Sequence, residues 1–173
     1  TTSTGYSKVI SYDSLGRAGS TSTTVNVPTP YTAGLSYDGN GRVATQTYPS
    51  GFVAQYVYTT LGYLKEIRDN VSNALYWQAN TLDAEGHLLQ QTYGNGVVTQ
   101  HSHNAANGRI SGILAGAGNA VQNLSYTYDS LGNIMSRGDA NQTLSEGFLY
   151  DNLNRLTSAT VNATAVSPPL TTT

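Results

Sequence analysis

The sequence predicts an all-β chain: an antiparallel β-meander of hairpin repeats that forms a curved ribbon. Three observations predict it: a turn motif written seven times, the spacing of its copies, and a second turn signal between them. The motif is complete at Tyr128-Asp129-Ser130-Leu131-Gly132-Asn133-Ile134, at Tyr12-Asp13-Ser14-Leu15-Gly16-Arg17 and at Tyr37-Asp38-Gly39-Asn40-Gly41-Arg42-Val43. Looser copies are Tyr58-Thr59-Thr60-Leu61-Gly62, Leu82-Asp83-Ala84-Glu85-Gly86-His87, His103-Asn104-Ala105-Ala106-Asn107-Gly108-Arg109 and Tyr150-Asp151-Asn152-Leu153-Asn154-Arg155. Their first positions are 12, 37, 58, 82, 103, 128 and 150, a mean step of 23. Midway come Pro49-Ser50-Gly51, Asn70-Val71-Ser72-Asn73, Gly94-Asn95-Gly96, Gly116-Ala117-Gly118-Asn119 and Ala140-Asn141-Gln142. A reversal about every 11 residues leaves roughly 7 for each segment, which is short for a helix and ordinary for a strand. Right-handed strand twist makes such a ribbon coil.

The first five residues, Thr1-Thr2-Ser3-Thr4-Gly5, are expected to fray and do not read as a signal peptide. Repeats are expected over 6–161. Within them, 18–34 read as one strand followed by a loop, because Pro28-Thr29-Pro30 interrupts any ladder. From 35 to 161 no linker-like break occurs. The stretch 162–173, ending in Ser167-Pro168-Pro169-Leu170-Thr171-Thr172-Thr173, lacks period and turn chemistry and reads as a linker or disordered tail.

Each motif residue has a mechanical reading. The openers Asp13, Asp38, Asp83, Asp129 and Asp151 can accept a hydrogen bond from the backbone two residues on. Gly16, Gly41, Gly62, Gly86, Gly108 and Gly132 supply the positive φ that lets the next strand leave in register. The aromatics Tyr12, Tyr37, Tyr58, Tyr128 and Tyr150 face the same side as the residue two places earlier. Two places after the glycine position stand Ala18, Val43, Leu64, Leu88, Ile110, Ile134 and Leu156. Aromatic and aliphatic ladders on one face are therefore expected, with Thr, Ser, Gln and Asn on the other, as in Thr45-Gln46-Thr47, Gln90-Gln91-Thr92 and Thr99-Gln100. The arginines that follow the glycine position (Arg17, Arg42, Arg109, Arg155) are expected to pair with a neighbouring repeat's Asp, at little gain for an exposed pair.

Repeated YDxxGR followed by an aliphatic residue, as in Tyr37-Asp38-Gly39-Asn40-Gly41-Arg42-Val43 with Tyr48-Pro49-Ser50-Gly51 after it, resembles the RHS/YD-repeat family over residues 6 to about 161. The resemblance implies a spiral β-shell segment. It also implies a non-catalytic structural role in an extracellular or exported shell that encloses a C-terminal toxin or other cargo polypeptide. The partners implied are the rest of that shell, or further copies of the chain, and the enclosed cargo. The location implied is secreted or cell-surface, most naturally in an exported bacterial protein. The family's closing DPxG segment has no counterpart, since the chain contains no Asp-Pro dipeptide, so an interior slice of a shell, or a minimal repeat protein, is expected. The alternative is a cell-surface module that binds glycans or proteins through exposed Tyr, Asn and Thr, or that self-assembles into fibres.

Composition narrows the field further. Eight Lys and Arg against ten Asp and Glu give a charge of −2, so there is no basic field for nucleic acid and no polybasic anchor. No apolar run reaches the roughly 18 residues of a spanning helix. There is no cysteine. No nucleophile–base pattern stands out among 40 Ser and Thr, and no cofactor site is expected. His101 and His103 share a strand face, where a metal would need a carboxylate from a neighbouring strand. The plainer expectation is no metal, with both rings taking aromatic places in the ladder.

Overall fold

The structure, a computed structural model, describes residues 5–26, 29–162 and 164–165. It divides into unit 1 (Thr1–Gln78 with Tyr93–Asn95) and unit 2 (Ala79–Thr92 with Gly96–Thr173). Unit 1 contains β1 (Tyr6–Tyr12), β2 (Ala18–Val25), β3 (Tyr31–Tyr37), β4 (Val43–Thr47), β5 (Val53–Tyr58), β6 (Leu64–Asp69) and the first half of β7 (Leu75–Leu82). Unit 2 takes the rest of β7, then β8 (Leu88–Tyr93, its last residue excepted), β9 (Val98–His103), β10 (Ile110–Ala115), β11 (Gln122–Tyr128), β12 (Ile134–Asp139), β13 (Leu144–Tyr150), β14 (Leu156–Val161) and β15 (Thr164–Ala165). The fold class is all-β. Among the described residues the only helical segment is a single 3-10 turn, Ala117–Asn119.

Within each unit every strand pairs antiparallel with its neighbours in sequence, as short connections favour. Each motif turn joins an odd-numbered strand to the next even one. In unit 1 the turns carrying Gly16, Gly41 and Gly62 therefore share one sheet edge. In unit 2 the same holds for Gly86, Gly108, Gly132 and Asn154. The intermediate turns take the opposite edge, where Asn141 Nδ2 donates to the carbonyl of Asn119 at 2.8 Å.

Each motif tyrosine sits directly across from the aliphatic residue beyond its turn: Tyr12 from Ala18, Tyr37 from Val43, Tyr58 from Leu64, Tyr128 from Ile134 and Tyr150 from Leu156. One residue earlier the register slips. Ser36 faces Thr45, so Ala44 is an extra residue on its strand, and Lys65, Ser111, Met135 and Thr157 repeat the pattern. A β-bulge thus adjoins the motif hairpins, and bulges strengthen local twist. Sequence inspection misses it, because an extra residue leaves no residue-type signature.

Two expectations need correction. The stretch 18–34 holds more than one strand and a loop, since β3 already begins at Tyr31. Strand pairing with Thr21, Ser22 and Thr23 extends it beyond its apolar residues. The polar residues are also less segregated than expected. Gln46 lies across from Leu35 and Ala54 on the tyrosine side and accepts the Tyr56 hydroxyl at 2.9 Å. Thr99 sits across from Ala115 on the side that carries His101 and His103. Strict alternation splits a triplet such as Thr45-Gln46-Thr47 between faces. The opposite face does carry hydroxyl pairs, Ser11 with Ser20, Ser36 with Thr45 and Thr127 with Ser136, at 2.6–2.7 Å.

Burial is shallow. Among the described residues the buried apolar side chains are Ala54, Ala79 and Ala115, with Glu66 and Thr99 the buried polar ones, and no large side chain is fully enclosed. Within each unit the described strands form one sheet layer with no second layer on either face, which explains this. The expected frayed start is Gly5 together with residues outside those described. The expected tail likewise lies largely outside them, apart from Asn162 and the short strand β15, which pairs with Thr160 and Val161.

Candidate functional site: the row of motif turns

In each unit the site with the most regular chemistry is the edge where its own motif turns line up. Each turn is built locally. At the first, Asp13 Oδ1 accepts the backbone N–H of Leu15 and of Arg17, both at 2.9 Å, while Gly16 takes φ +77°. Asp38, Asp83 and Asp151 repeat the pattern. Asp129 adds a third acceptance, from Gly132 N–H at 2.7 Å. Gly41, Gly62, Gly86, Gly108 and Gly132 all have positive φ, and in the copy without glycine Asn154 takes its place at +60°.

Of the four arginines expected to pair across repeats, only Arg109 reaches the next repeat's Asp, donating to the carbonyl of Asp129 at 3.2 Å, while the other three turn to their own. Arg17 Nε donates to Asp13 Oδ2 of its own turn at 2.7 Å, and Arg42–Asp38 and Arg155–Asp151 are identical in form. The reason is reach: four residues on, the Asx turn brings the guanidinium beside the free carboxylate oxygen. Asp13 and Asp151 are held below the usual aspartate range, chiefly by the arginine's backbone N–H. Asp38 is lowered chiefly by the Arg42 side chain, and Asp129 by the Asn133 amide.

What links one repeat to the next is the flat side of these cations. Arg17 lies over Tyr37 at 4.1 Å, Arg42 over Tyr58 at 4.3 Å and Arg109 over Tyr128 at 5.8 Å. The tyrosine hydroxyls then donate backward across the repeat boundary, Tyr37 to Ala18 O, Tyr58 to Val43 O and Tyr150 to Ile134 O, at 2.8–3.0 Å. A guanidinium also passes over the next turn's glycine: a Cβ at Gly62 would lie 3.6 Å from Arg42, and one at Gly132 would collide with Arg109. Tyr12, on the edge strand β1, is 63% exposed.

One rung differs. At the turn of Asp83, Gly86 and His87, the arginine place holds His87, and the next repeat's tyrosine place holds His103. The two rings stack at 4.8 Å with 19° between planes. His87 Nδ1 lies 2.8 Å from Asp83 Oδ2 and 3.5 Å from Glu85 Oε2. His101 and His103 each keep a buried Nδ1 without a partner, and burial followed by His103's proximity lowers the His101 pKa. Among the described residues, Asp83, Glu85 and His87 form the one group of three potential metal-ligand atoms, all within 4.8 Å of one another. The Asp-x-Glu-x-His spacing was visible in the sequence. Its meaning was not, because the motif already explained the Asp.

The motif turns and their repeat-to-repeat rungs define a protein built of YD hairpin repeats, and the chain belongs to the RHS/YD-repeat family. Its relatives are toxin subunits. It is 32% identical to toxin subunit YenC1 of Yersinia entomophaga over 70% of this chain and 15% of that one. With toxin subunit YenC2 of the same organism the identity is 33%, over 46% of this chain and 10% of that one. Among solved structures it is similar to TcdB2-TccC3 (TM-score 0.74, 23% identity) and TcdB2-TccC3-Cdc42 (TM-score 0.73, 22% identity), each covering 86% of this chain and 9% of the other. At such identities the solved structures establish the fold. The chain thus spans about 15% or less of the proteins it matches. No protein-family model matches it.

Proposed function

We propose that this chain is a stretch of wall in an exported toxin-complex shell, without catalytic activity of its own, and that the shell encloses a toxin or other cargo polypeptide. The observation that carries this reading is the rung system on an unburied sheet. The first three hairpins are locked to one another by cation–ring stacking and tyrosine hydrogen bonds, while among the described residues no large side chain is fully buried. Such a sheet holds its own outline but leaves its faces to be covered by something else. The toxin-subunit relatives favour the remainder of a larger shell and its contents as what covers them. The edge strand β1, exposed along its whole length, fits continuation into further repeats or further copies. No helix among the described residues is long and apolar enough to cross a membrane.

The test is protection. The full-length parent protein is purified from culture medium and from cells, digested with protease, and its resistant fragments are identified by mass spectrometry. A protected polypeptide lacking YD repeats is the expected result. A chain fully cleaved outside its repeats, together with filament formation or retention on a glycan array, would replace the wall with a surface-binding or self-assembling module.

A further inference from the structure

We propose that Asp83, Glu85 and His87 form a binding site for a divalent transition-metal ion of the zinc type. Comparing this turn with the others in the chain is the strongest ground. At Asp13, Asp38 and Asp151 the carboxylate oxygen left over by the Asx turn is closed off by an arginine, which cannot give up a proton to become a ligand. In this turn the same place holds an imidazole, which offers a nitrogen lone pair once deprotonated. The turn-tip place, held elsewhere by Leu15, Asn40, Leu61, Leu131 or Leu153, here holds a second carboxylate, Glu85. Two carboxylates therefore meet one imidazole, and among the described residues neither has an arginine or lysine partner.

The geometry is close to what an ion needs. Tetrahedral zinc with bonds near 2.1 Å sets neighbouring ligand atoms about 3.4 Å apart. Glu85 Oε2 and His87 Nδ1 stand at 3.5 Å, and Asp83 Oδ2 and His87 Nδ1, now hydrogen-bonded at 2.8 Å, need to open by about half an ångström. Asp83 is already oriented, because its other oxygen accepts the backbone N–H groups of Glu85 and His87 at 3.0 and 2.8 Å. The His87 ring is held from behind by the stack on His103 and seated against Gly108, where a Cβ would come within 3.1 Å of it. Glu85 and His87 line an open cleft of about 340 Å³, which leaves the fourth coordination position to water. One nitrogen and two carboxylate oxygens suit zinc, or the copper and nickel ions that share its ligands, better than calcium, which takes six or more oxygens. On binding, the ion takes the Nδ1 lone pair, and the imidazole proton resides on Nε2.

The experiment is zinc chloride titrated calorimetrically into the full 173-residue chain, followed by amide NMR of the same samples. The expected result is one ion per chain, with shifts concentrated at 83–87 and 104–109. Glu85→Gln, whose side chain is 68% exposed and whose fold should be unaffected, should weaken binding roughly tenfold or more, and His87→Gln roughly a hundredfold. His101→Gln should bind as the parent does. No binding at millimolar zinc, or binding that survives Glu85→Gln and His87→Gln, overturns the proposal, as does loss of binding in His101→Gln alone.

Discussion

The Arg42 guanidinium lies 4.3 Å from the centre of the Tyr58 ring, and the hydroxyl of that same tyrosine donates to the carbonyl of Val43, the residue after Arg42. One tyrosine thus holds the preceding repeat by a stacked charge and a hydrogen bond together. Because Arg42 is also fixed to Asp38 through two nitrogens, the rung is rigid from turn to ring.

Tyr58→Phe should therefore cost about 1 kcal/mol through the lost hydroxyl bond, and Tyr58→Ala about 2 kcal/mol, less than for a fully buried ring. Arg42→Lys keeps the charge but loses fork and stack, and should cost roughly 1 kcal/mol. Urea unfolding of the three variants checks this. Equal midpoints for Arg42→Lys and the parent would refute the stacking role.

Gly132 has φ +102°, and the Arg109 guanidinium occupies the space a side chain would need. Gly132→Val should be destabilising by roughly 2–3 kcal/mol, while Ser130→Val in the exposed turn should stay within about 0.5 kcal/mol. Adding Arg109→Ala to Gly132→Ala should recover part of the loss, which a double-mutant cycle on thermal melting measures.

Deleting Ala44, the bulged residue opposite the Ser36–Tyr37 step, would leave Tyr37 across from Val43 and Ser36 across from Thr45 in an unbulged ladder, removing the added twist with which this hairpin meets its neighbours. The expected outcome is loss of amide-exchange protection throughout β3 and β4. A deletion that leaves this protection intact would mean the bulge is incidental.

Acid should loosen the turns. Asp13, Asp38, Asp129 and Asp151 all have folded pKa values below the ordinary 3.8. For carboxylates shifted down on folding, the stabilisation is fully present above the unfolded value. It is lost as pH falls from about 3.8 through the lower folded values. Carboxyl NMR titration should place all four below 3.8, and Asp38→Asn should flatten the fall in stability between pH 4 and the acid limit. A folded-state pKa for Asp38 at or above 3.8 would contradict this.

The sequence by itself determined the strands and the turns. Asp13 and Gly16, or Asp129 and Gly132, act within five consecutive residues, so an Asx acceptor and a positive φ are legible wherever the motif is written. Its spacing then leaves room only for short antiparallel strands. The tertiary structure alone decided what depends on which residues, some twenty apart, become neighbours. Arg42 turned to its own Asp38 for charge and to Tyr58 for its flat face. An extra residue entered each bulge, Gln46 joined the tyrosine side, and His87 came to rest on His103 with two carboxylates beside its Nδ1. The physical reason is that turn chemistry is set by local dihedrals and hydrogen bonds, whereas rungs are set by register, and no single repeat specifies the register of the next.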